Sequence, residues 1–246
     1  MQHLVVRGVH KSFDGRTPVL TDINLDIEAG ESLALIGANG AGKSTLLRIC
    51  AQLLKADQGE VHLFGQPTHG LHGRSLRQHR ARIGFVFQKH NLVPRLCALS
   101  NVLHGALARN AGMGAWLHNW APTALRAEAM ACLDRVGLAH VALRRADQLS
   151  GGQSQRVAIA RALMQKPQFI IADEPAASLD PVAGEEVMGL FTQLTREENI
   201  TLAFTTHDLT HAMRYAGRVV GLQNGRISLD APVAQVAEPQ LRTLYA

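Results

Sequence analysis

The chain of 246 residues lacks any apolar run close to the roughly 18 to 20 residues that a transmembrane helix needs. Its first residues, Met1 to Arg7, have neither the basic segment nor the long apolar stretch of a secretory signal. Internal repeats and low-complexity segments are also missing. We therefore expect one compact α/β unit that does not cross a membrane by itself.

Cysteine is scarce, because only Cys50, Cys97 and Cys132 are present and they lie far apart. That number and spacing exclude a disulfide framework and a cysteine metal cluster. We expect the three to be small buried hydrophobic residues of a protein in a reducing compartment. The histidines between His62 and His90 match no common zinc spacing, so we expect them on the solvated surface.

Aromatic residues make up only 4% of the chain, although its formal net charge is +5. A nucleic-acid patch is one interpretation of this charge, and it would use the arginines that cluster at positions 74, 77, 80 and 82. No aromatic residue alternates with that cluster to form a stacking platform, so we expect no nucleic-acid partner. A basic protein also suits the surface of an anionic membrane leaflet.

One segment matches the phosphate-loop pattern G-x-x-x-x-G-K-[ST], namely Gly37, Ala38, Asn39, Gly40, Ala41, Gly42, Lys43 and Ser44. It lies between the apolar run Leu33–Ile36 and a predicted helix from Thr45 to Leu54. Backbone N–H groups of such a loop surround phosphates, the lysine supplies a positive charge, and the serine hydroxyl is suited to Mg²⁺. The strand before it and the helix after it favour a nucleotide site over a glycine-rich turn.

Two further motifs follow in the second half of the chain. Leu149–Gln153 precedes a helical pattern from Arg156 to Leu163, which Pro167 ends; alone, this motif would be a loop with a serine cap. The apolar run Phe169–Ala172 then leads to Asp173–Glu174 at the end of a predicted strand. By itself that pair would be an acidic turn.

The remaining pattern predicts an antiparallel β region over residues 1 to about 30, with a turn at Asp14-Gly15. We expect strands at 59–65, 83–87, 201–205 and 219–222, and helices at 99–109 and 123–136. Between residues 88 and 149 the strand signals stop. Trp116 and Trp120 lie there after a glycine-rich stretch, 110–114, of undefined structure, and we expect them to be packing residues.

In their order along the chain, these motifs resemble those of the ATP-binding-cassette (ABC) ATPases. The resemblance covers nearly the whole chain: the phosphate loop, Gln88, the signature Leu149–Gln153, the pair Asp173–Glu174, and His207. It implies an α/β fold, a P-loop NTPase of ABC type with an antiparallel β flank and an inserted α-helical subdomain. Residues 1–88 and 150–246 would form the nucleotide-binding core, and residues 89–149 the helical subdomain.

The resemblance also implies ATP and Mg²⁺ as cofactors. Ser44 and Gln88 would contact Mg²⁺ with Asp173 in its outer shell, Glu174 would act as general base, and His207 would hold the γ-phosphate and the attacking water. Alone, His207-Asp208 would be a helix cap. The ATP contacts implied are Phe13, the phosphate loop from Gly37 to Ser44, Thr45, and the signature residues Ser150, Gly151, Gly152 and Gln153. Phe13 would stack on adenine, or else belong to the core of the β flank.

Two copies of such a chain would pair head to tail as a homodimer. Ser150 and Gly152 of one copy would then close over the γ-phosphate bound to the other copy. The segment Ala177–Asp180, the D-loop of the family, would run along this interface.

A single cassette without a membrane span resembles the motor subunit of a bacterial importer. Its partners would be two transmembrane permease subunits and, indirectly, a periplasmic substrate-binding protein, and it would lie on the cytoplasmic side of the inner membrane. Four segments are similar to the phosphonate importer ATPases, whose relatives carry phosphite or hypophosphite: 87–93, 101–105, 145–148 and 172–181. The chain departs from them at Ser154 and Asp208, where glutamine is usual.

Two alternatives remain open at this point. One is a non-transport ABC ATPase that serves as an accessory subunit of a phosphorus-metabolism enzyme complex, and the other is an ATPase linked to nucleic acid. The surface around residues 88 to 105 distinguishes the importer from the accessory subunit, because in importers it receives a short helix of the membrane subunit.

Overall fold

The computed structural model describes residues 1–109 and 116–245, which form two sheets and the helices that cover them. The strands are β1 (Gln2–Ser12), β2 (Pro18–Glu28), β3 (Ser32–Ile36), β4 (Gln58–Leu63), β5 (Gln66–Pro67), β6 (Ile83–Val86), β7 (Phe169–Ala172), β8 (Thr201–Thr205), β9 (Arg218–Gln223) and β10 (Arg226–Pro232). The α-helices are α1 (Lys43–Cys50), α2 (Gly73–Ala81), α3 (Ala98–Leu103), α4 (Thr123–Arg135), α5 (Gly151–Met164), α6 (Pro181–Glu197), α7 (Leu209–Tyr215) and α8 (Glu238–Arg242). Among the described residues, none of the helices has the length and apolar character needed to span a bilayer.

The first sheet is the predicted antiparallel flank, with strand order β2-β1-β4-β5. Alternate residues of β1, among them Leu4 and Val6, are fully buried. At the predicted turn, Asp14 Oδ1 accepts hydrogen bonds from the backbone N–H of Arg16 (2.9 Å) and Thr17 (2.7 Å). The two-residue periodicity and the turn chemistry therefore predicted this region correctly.

The second sheet has the order β10-β9-β3-β8-β7-β6, and only the edge strand β10 is antiparallel to its neighbour. Strands β7 and β8 are buried along their whole length because both faces of the sheet are covered, one by helices and the other by α1 together with the first sheet, which explains their continuous apolar sequences. The carboxyl ends of the parallel strands meet at one edge. In α/β sheets this edge is where ligands bind.

Helix α1 begins and ends earlier than predicted, since it spans Lys43–Cys50 and not residues 45 to 54. Gln52 adopts a left-handed conformation with φ of 59°. The N–H groups of Leu53 and Leu54 both donate to the carbonyl of Arg48, at 2.8 and 3.1 Å. This turn uses the free carbonyls of the last helical turn and ends the helix, although the apolar spacing continues.

Segment 89–149 contains α3, α4 and short 3-10 turns, and within its described part the only strand-like pairing is a bridge between Cys97 and Arg145. The helix predicted over 99–109 is an α-helix only to Leu103 and continues as a 3-10 helix, His104–Arg109. A Cβ atom on Gly105 would lie 2.2 Å from the Arg161 carbonyl oxygen of α5. The close approach of the two backbones therefore requires glycine here, and α5 packs against both α3 and α4.

Two predictions about single residue types were wrong. Trp116 and Trp120 are 55% and 74% exposed, so they are not packing residues. His79 is buried, with its Nε2 atom 3.0 Å from Gln66 Oε1, whereas the other histidines of the segment from His62 to His90 are exposed or half-buried. The glycine-rich stretch 110–114 lies outside the described residues.

All three cysteines are free and buried, as predicted. Burial raises the pKa of the Cys50 thiol to about 12 and that of Cys132 to about 11. Because the thiolate is the reactive form, both groups are almost fully protonated and unreactive at pH 8.

We therefore expect iodoacetamide to leave Cys50 and Cys132 unmodified in the native protein at pH 8. Both should be alkylated within minutes once guanidinium unfolds the chain, and peptide mass spectrometry separates the two positions. Rapid labelling of either residue under native conditions would contradict the buried environment.

Candidate active site

Four sequence motifs converge at the carboxyl edge of the second sheet. The phosphate loop (Gly37–Ser44) follows β3, Gln88 follows β6, Asp173–Glu174 follows β7, and His207 comes two residues after Thr205, the end of β8. In the sheet β8 lies between β3 and β7, with Leu35 paired to Thr205 and Ala172 paired to Phe204. The strand order thus places residues from distant parts of the sequence at one site.

The phosphate loop fits closely against β9. A Cβ atom on Gly37 would lie 2.1 Å from the Leu222 carbonyl oxygen, and its φ of 144° also disfavours other residues. Lys43 is buried, and its Nζ atom donates to the carbonyls of Gly37 (2.7 Å) and Ala38 (3.0 Å). Burial lowers the pKa of Lys43, while the nearby carboxylates of Asp173 and Glu174 act in the opposite direction. The loop therefore presents a positive charge and the N-terminus of α1, an arrangement that binds anions.

A hydrogen-bond network connects the phosphate loop with the ends of β7 and β8. The Ser44 hydroxyl donates to Asp173 Oδ1 at 2.9 Å, and the Thr205 hydroxyl donates to the same oxygen at 3.0 Å. Thr205 Oγ1 also accepts the backbone N–H of Glu174 at 2.8 Å. Its single hydroxyl thus fixes both the Asp173 carboxylate and the backbone that carries Glu174.

Glu174 and His207 form a direct contact between Oε1 and Nε2. Their side chains are 15% and 36% exposed, so the pair stands at the mouth of the site. Glu174 has a φ of 49°, a conformation that costs energy for a residue other than glycine and is typical of functional sites. His207 precedes the cap of α7, whereas the capping side chain belongs to Asp208, which accepts from Thr210 N at 2.7 Å.

Gln88 and Phe13 are both exposed. Among the described residues, Gln88 makes no hydrogen bond to Ser44 or Asp173. Phe13 is 67% exposed, with Lys11 Nζ at 5.6 Å from its ring centre, so it does not belong to the core of the β flank.

The signature residues lie at a different place, at the start of α5. Ser150 caps this helix in a capping box: its Oγ accepts from Gln153 N at 3.2 Å, and Gln153 Oε1 accepts from Ser150 N at 3.1 Å. A groove of about 450 Å³ runs between these residues and the D-loop, and none of its lining residues comes from the phosphate loop. The two halves of the predicted nucleotide site are therefore separate within one chain.

Sequence reasoning missed two residues that the structure places beside the site. Thr205 was predicted only as part of a strand, and no local pattern marks its hydroxyl as the link between Asp173 and Glu174. The hydroxyl of Tyr245 donates to the Thr206 carbonyl at 3.3 Å, next to His207. Tyr245 lies 39 residues after Thr206, so no local sequence pattern indicates this contact.

Comparison with known proteins gives concordant results. The family model described as ABC transporter matches residues 20–177. The "Phosphonates import ATP-binding protein PhnC" of Frankia casuarinae is 45% identical over 95% of this chain and 91% of its own length. The "Phosphate-import ATP-binding protein PhnC" of Mycolicibacterium smegmatis is 47% identical over 98% of this chain and 91% of its own length.

Solved structures of ABC cassettes superimpose on nearly the whole chain. The cassette MJ0796, in a dimeric post-hydrolysis state bound to ADP and Pi, gives a TM-score of 0.83 at 35% identity and covers 94% of this chain and 98% of its own. The cbiO1 protein of Clostridium perfringens, part of the transporter complex cbiONQ, gives 0.84 at 31% identity and covers 99% and 94%. These matches confirm the predicted α/β fold of ABC type.

Proposed function

This chain belongs to the ABC transporter family, and from that membership we propose that it is the ATP-hydrolysing motor subunit of a bacterial importer of phosphonates or related phosphorus oxyanions. The observation that carries the proposal is the single site at the sheet edge, where the phosphate loop, the Ser44–Asp173 hydrogen bond and the Glu174–His207 contact lie together. This arrangement can bind a nucleoside triphosphate and direct water to its terminal phosphate.

ATP binds to the phosphate loop in this proposal. The backbone N–H groups from Gly37 to Thr45 and the ammonium group of Lys43 hold the phosphates, and the exposed ring of Phe13 stacks on adenine. The positive end of α1 adds to the attraction for the phosphate anions.

Mg²⁺ fits the donor atoms present. The Ser44 hydroxyl and the Asp173 carboxylate, joined at 2.9 Å, offer the oxygen atoms that this hard cation prefers, and the exposed Gln88 side chain would add its amide oxygen. Among the described residues, no cluster of three or more His, Cys, Asp or Glu side chains forms an all-protein cage, as suits a cation held largely by phosphate and water. When bound, Mg²⁺ would neutralise charge on the phosphates.

Hydrolysis then depends on Glu174 and His207. The Glu174 carboxylate accepts a proton from water as the water oxygen attacks the γ-phosphorus, and the bond from that phosphorus to the ADP oxygen breaks. His207 holds the γ-phosphate and the attacking water. Thr205 positions Glu174 through the hydrogen bond to its backbone.

The separation of the signature from the phosphate loop supports a head-to-tail homodimer. Ser150 and Gly152 of one subunit complete the ATP site of the other, with the D-loop Ala177–Asp180 along the interface. The dimeric state of MJ0796 is consistent with such pairing.

We further propose that segment 89–149 is an inserted helical subdomain, with the nucleotide core formed by residues 1–88 and 150–246. A groove of about 560 Å³, here named the docking groove, lies where the two parts meet; it is lined by Leu53, Gly73, Leu76, Arg77, Arg80, Ala81, Ile83, Phe85, Phe87, Asn91, His104, Gly105, Ala108, Arg161, Ala162 and Gln165. Its lining combines apolar side chains with Arg77, Arg80 and Arg161, which suits a short amphipathic helix of a membrane subunit. Two such permease subunits would hold the ATPase dimer at the cytoplasmic face of the inner membrane, and a periplasmic binding protein would deliver the cargo.

The names of the relatives support the cargo class, which includes phosphonates and, for the Mycolicibacterium smegmatis relative, phosphate. Because these relatives are named as import proteins, a non-transport accessory role is not favoured. Phosphate itself is the second candidate cargo, since the relative with that name is 47% identical.

Deletion of the gene is expected to stop growth on a phosphonate, phosphite or hypophosphite as sole phosphorus source, because uptake without ATP hydrolysis cannot proceed against a gradient. Growth on phosphate should be unchanged, and the intact gene should restore growth where the Glu174→Gln variant does not. Normal growth on phosphonate, phosphite and hypophosphite, in a strain without another transporter for them, would reject these compounds as the cargo. Loss of radiolabelled phosphate uptake alone would assign phosphate.

A further inference from the structure

Tyr245 reaches the candidate active site from the last elements that the structure describes, α8 and the 3-10 turn Thr243–Tyr245. Its hydroxyl donates to the Thr206 carbonyl at 3.3 Å, although 39 residues separate the two along the sequence. The residue after Thr206 is His207, which contacts Glu174. The tyrosine is therefore hydrogen-bonded to the backbone immediately before a residue of the catalytic pair.

The turn that carries Tyr245 packs against β9. Leu244 is buried, and a Cβ atom on Gly221 would lie 2.6 Å from Leu244 Cδ1, so a larger residue at position 221 would displace the leucine. The next residue of β9, Leu222, is the one whose carbonyl oxygen closely approaches Gly37 of the phosphate loop. The same short stretch of β9 thus supports both the turn and the start of the phosphate loop.

The Tyr245 hydroxyl also interacts with the phosphate loop. Burial raises the pKa of this hydroxyl, as do the nearby carboxylates of Asp208 and Glu174, whereas a hydrogen bond from the Gly37 backbone acts in the opposite direction. The hydroxyl therefore stays protonated near neutral pH and can donate to the Thr206 carbonyl. With one hydrogen bond accepted and one donated, it joins the first residue of the phosphate loop to the connection between β8 and α7.

Hydrogen bonds hold the backbone on both sides of His207. The Thr206 carbonyl belongs to the peptide group that leads into His207, and this group is the one that Tyr245 contacts. On the other side, the backbone N–H of Asp208 donates to Thr206 Oγ1 at 3.0 Å. Because a side chain follows the peptide groups that flank it, rotation of the first peptide group would move the imidazole away from Glu174.

We propose that Tyr245 is a positioning residue for ATP hydrolysis, which keeps His207 at Glu174 and the γ-phosphate by fixing the Thr206 carbonyl. The tyrosine acts through His207 and not as a ligand of the nucleotide. The inference rests on the role of His207 in the proposed function. Because a displacement of about 1 Å in an active site can lower the rate by about 10²-fold, one hydrogen bond at this place is sufficient to affect turnover.

Tyr245→Phe tests this inference, because it removes the hydroxyl group and keeps the ring. We expect kcat for ATP hydrolysis to fall by about threefold to tenfold, the size typical of one hydrogen bond, while KM for ATP stays unchanged. Thr243→Val is the matched control. It removes a different hydroxyl of the same turn, which donates to the Gln240 carbonyl at 2.7 Å, and it should leave both kcat and KM unchanged.

A double-mutant cycle separates the positioning of His207 from a general structural effect. In a His207→Ala chain the imidazole that Tyr245 positions has been removed, so Tyr245→Phe should not lower the residual rate any further. Single-turnover hydrolysis of γ-labelled ATP, with the protein in excess, measures such low rates. The melting temperature of the Tyr245→Phe variant should lie within about 4 °C of that of the unmodified chain.

A normal kcat for Tyr245→Phe would overturn the inference and leave the proposed function intact. A rise in KM alone would overturn it as well, because the hydroxyl would then serve the phosphate loop. So would an equal loss of rate in the His207→Ala chain, an equal effect of Thr243→Val, or a larger fall in melting temperature. Normal hydrolysis by the His207→Ala chain itself would reject the proposed role of His207, and the inference with it.

Discussion

Replacement of Glu174 by glutamine is expected to lower the rate of ATP hydrolysis by about 10² to 10⁴, the range typical for loss of a general base. The amide has nearly the same shape as the carboxylate but cannot accept the proton of the attacking water. Lys43 and the phosphate loop are unchanged, so ATP still binds. The variant should therefore accumulate as an ATP-bound dimer on a sizing column.

Glu60→Gln is the control for this experiment, because Glu60 lies exposed on β4 in the other sheet. It should hydrolyse ATP at the normal rate. A Glu174→Gln variant that hydrolysed ATP normally would remove Glu174 from the role of base. One that stayed monomeric with ATP would show that the substitution disturbs binding instead.

Replacement of Ser150 by arginine is expected to abolish turnover while leaving nucleotide affinity of the monomer nearly unchanged. The bulky cation blocks closure of the signature on the γ-phosphate held by the other subunit. Since Ser150 also caps α5, loss of the cap costs about 1 kcal/mol and needs a control. Ser150→Asp provides it, because aspartate keeps the cap while its charge repels the phosphate.

Heterodimers show whether the signature acts on the other subunit. A dimer of one Ser150→Arg chain and one Lys43→Ala chain should keep one intact site and hydrolyse ATP. A dimer of an unmodified chain and a chain with both substitutions should be inactive, since each site then carries one lesion. Differently tagged chains allow both dimers to be purified. The opposite pattern of activities would show that each chain completes its own site.

The sequence alone was sufficient for the local features of the site. Glycine, lysine and serine at fixed spacing predict the phosphate loop because only a few residue types permit its turn and charge. The apolar runs predicted β3, β7, β8 and β9 because strands covered on both faces need continuous apolar residues. Helix ends were less predictable, since the turn at Gln52 and the close approach at Gly105 depend on contacts that apolar spacing does not show.

Patterns in a sequence report which residues prefer a strand, a loop or a helix, and in this chain they determined the motifs and the elements that carry them. They do not report which strands are neighbours, because sheet order results from long-range packing. Only the tertiary structure put β8 between β3 and β7, so that the hydroxyl of Thr205 joins Asp173 to Glu174. It also shows that Trp116 and Trp120 are exposed whereas Ala121 of the same turn is buried, a difference that depends on how the turn packs and not on the apolar character of the residues.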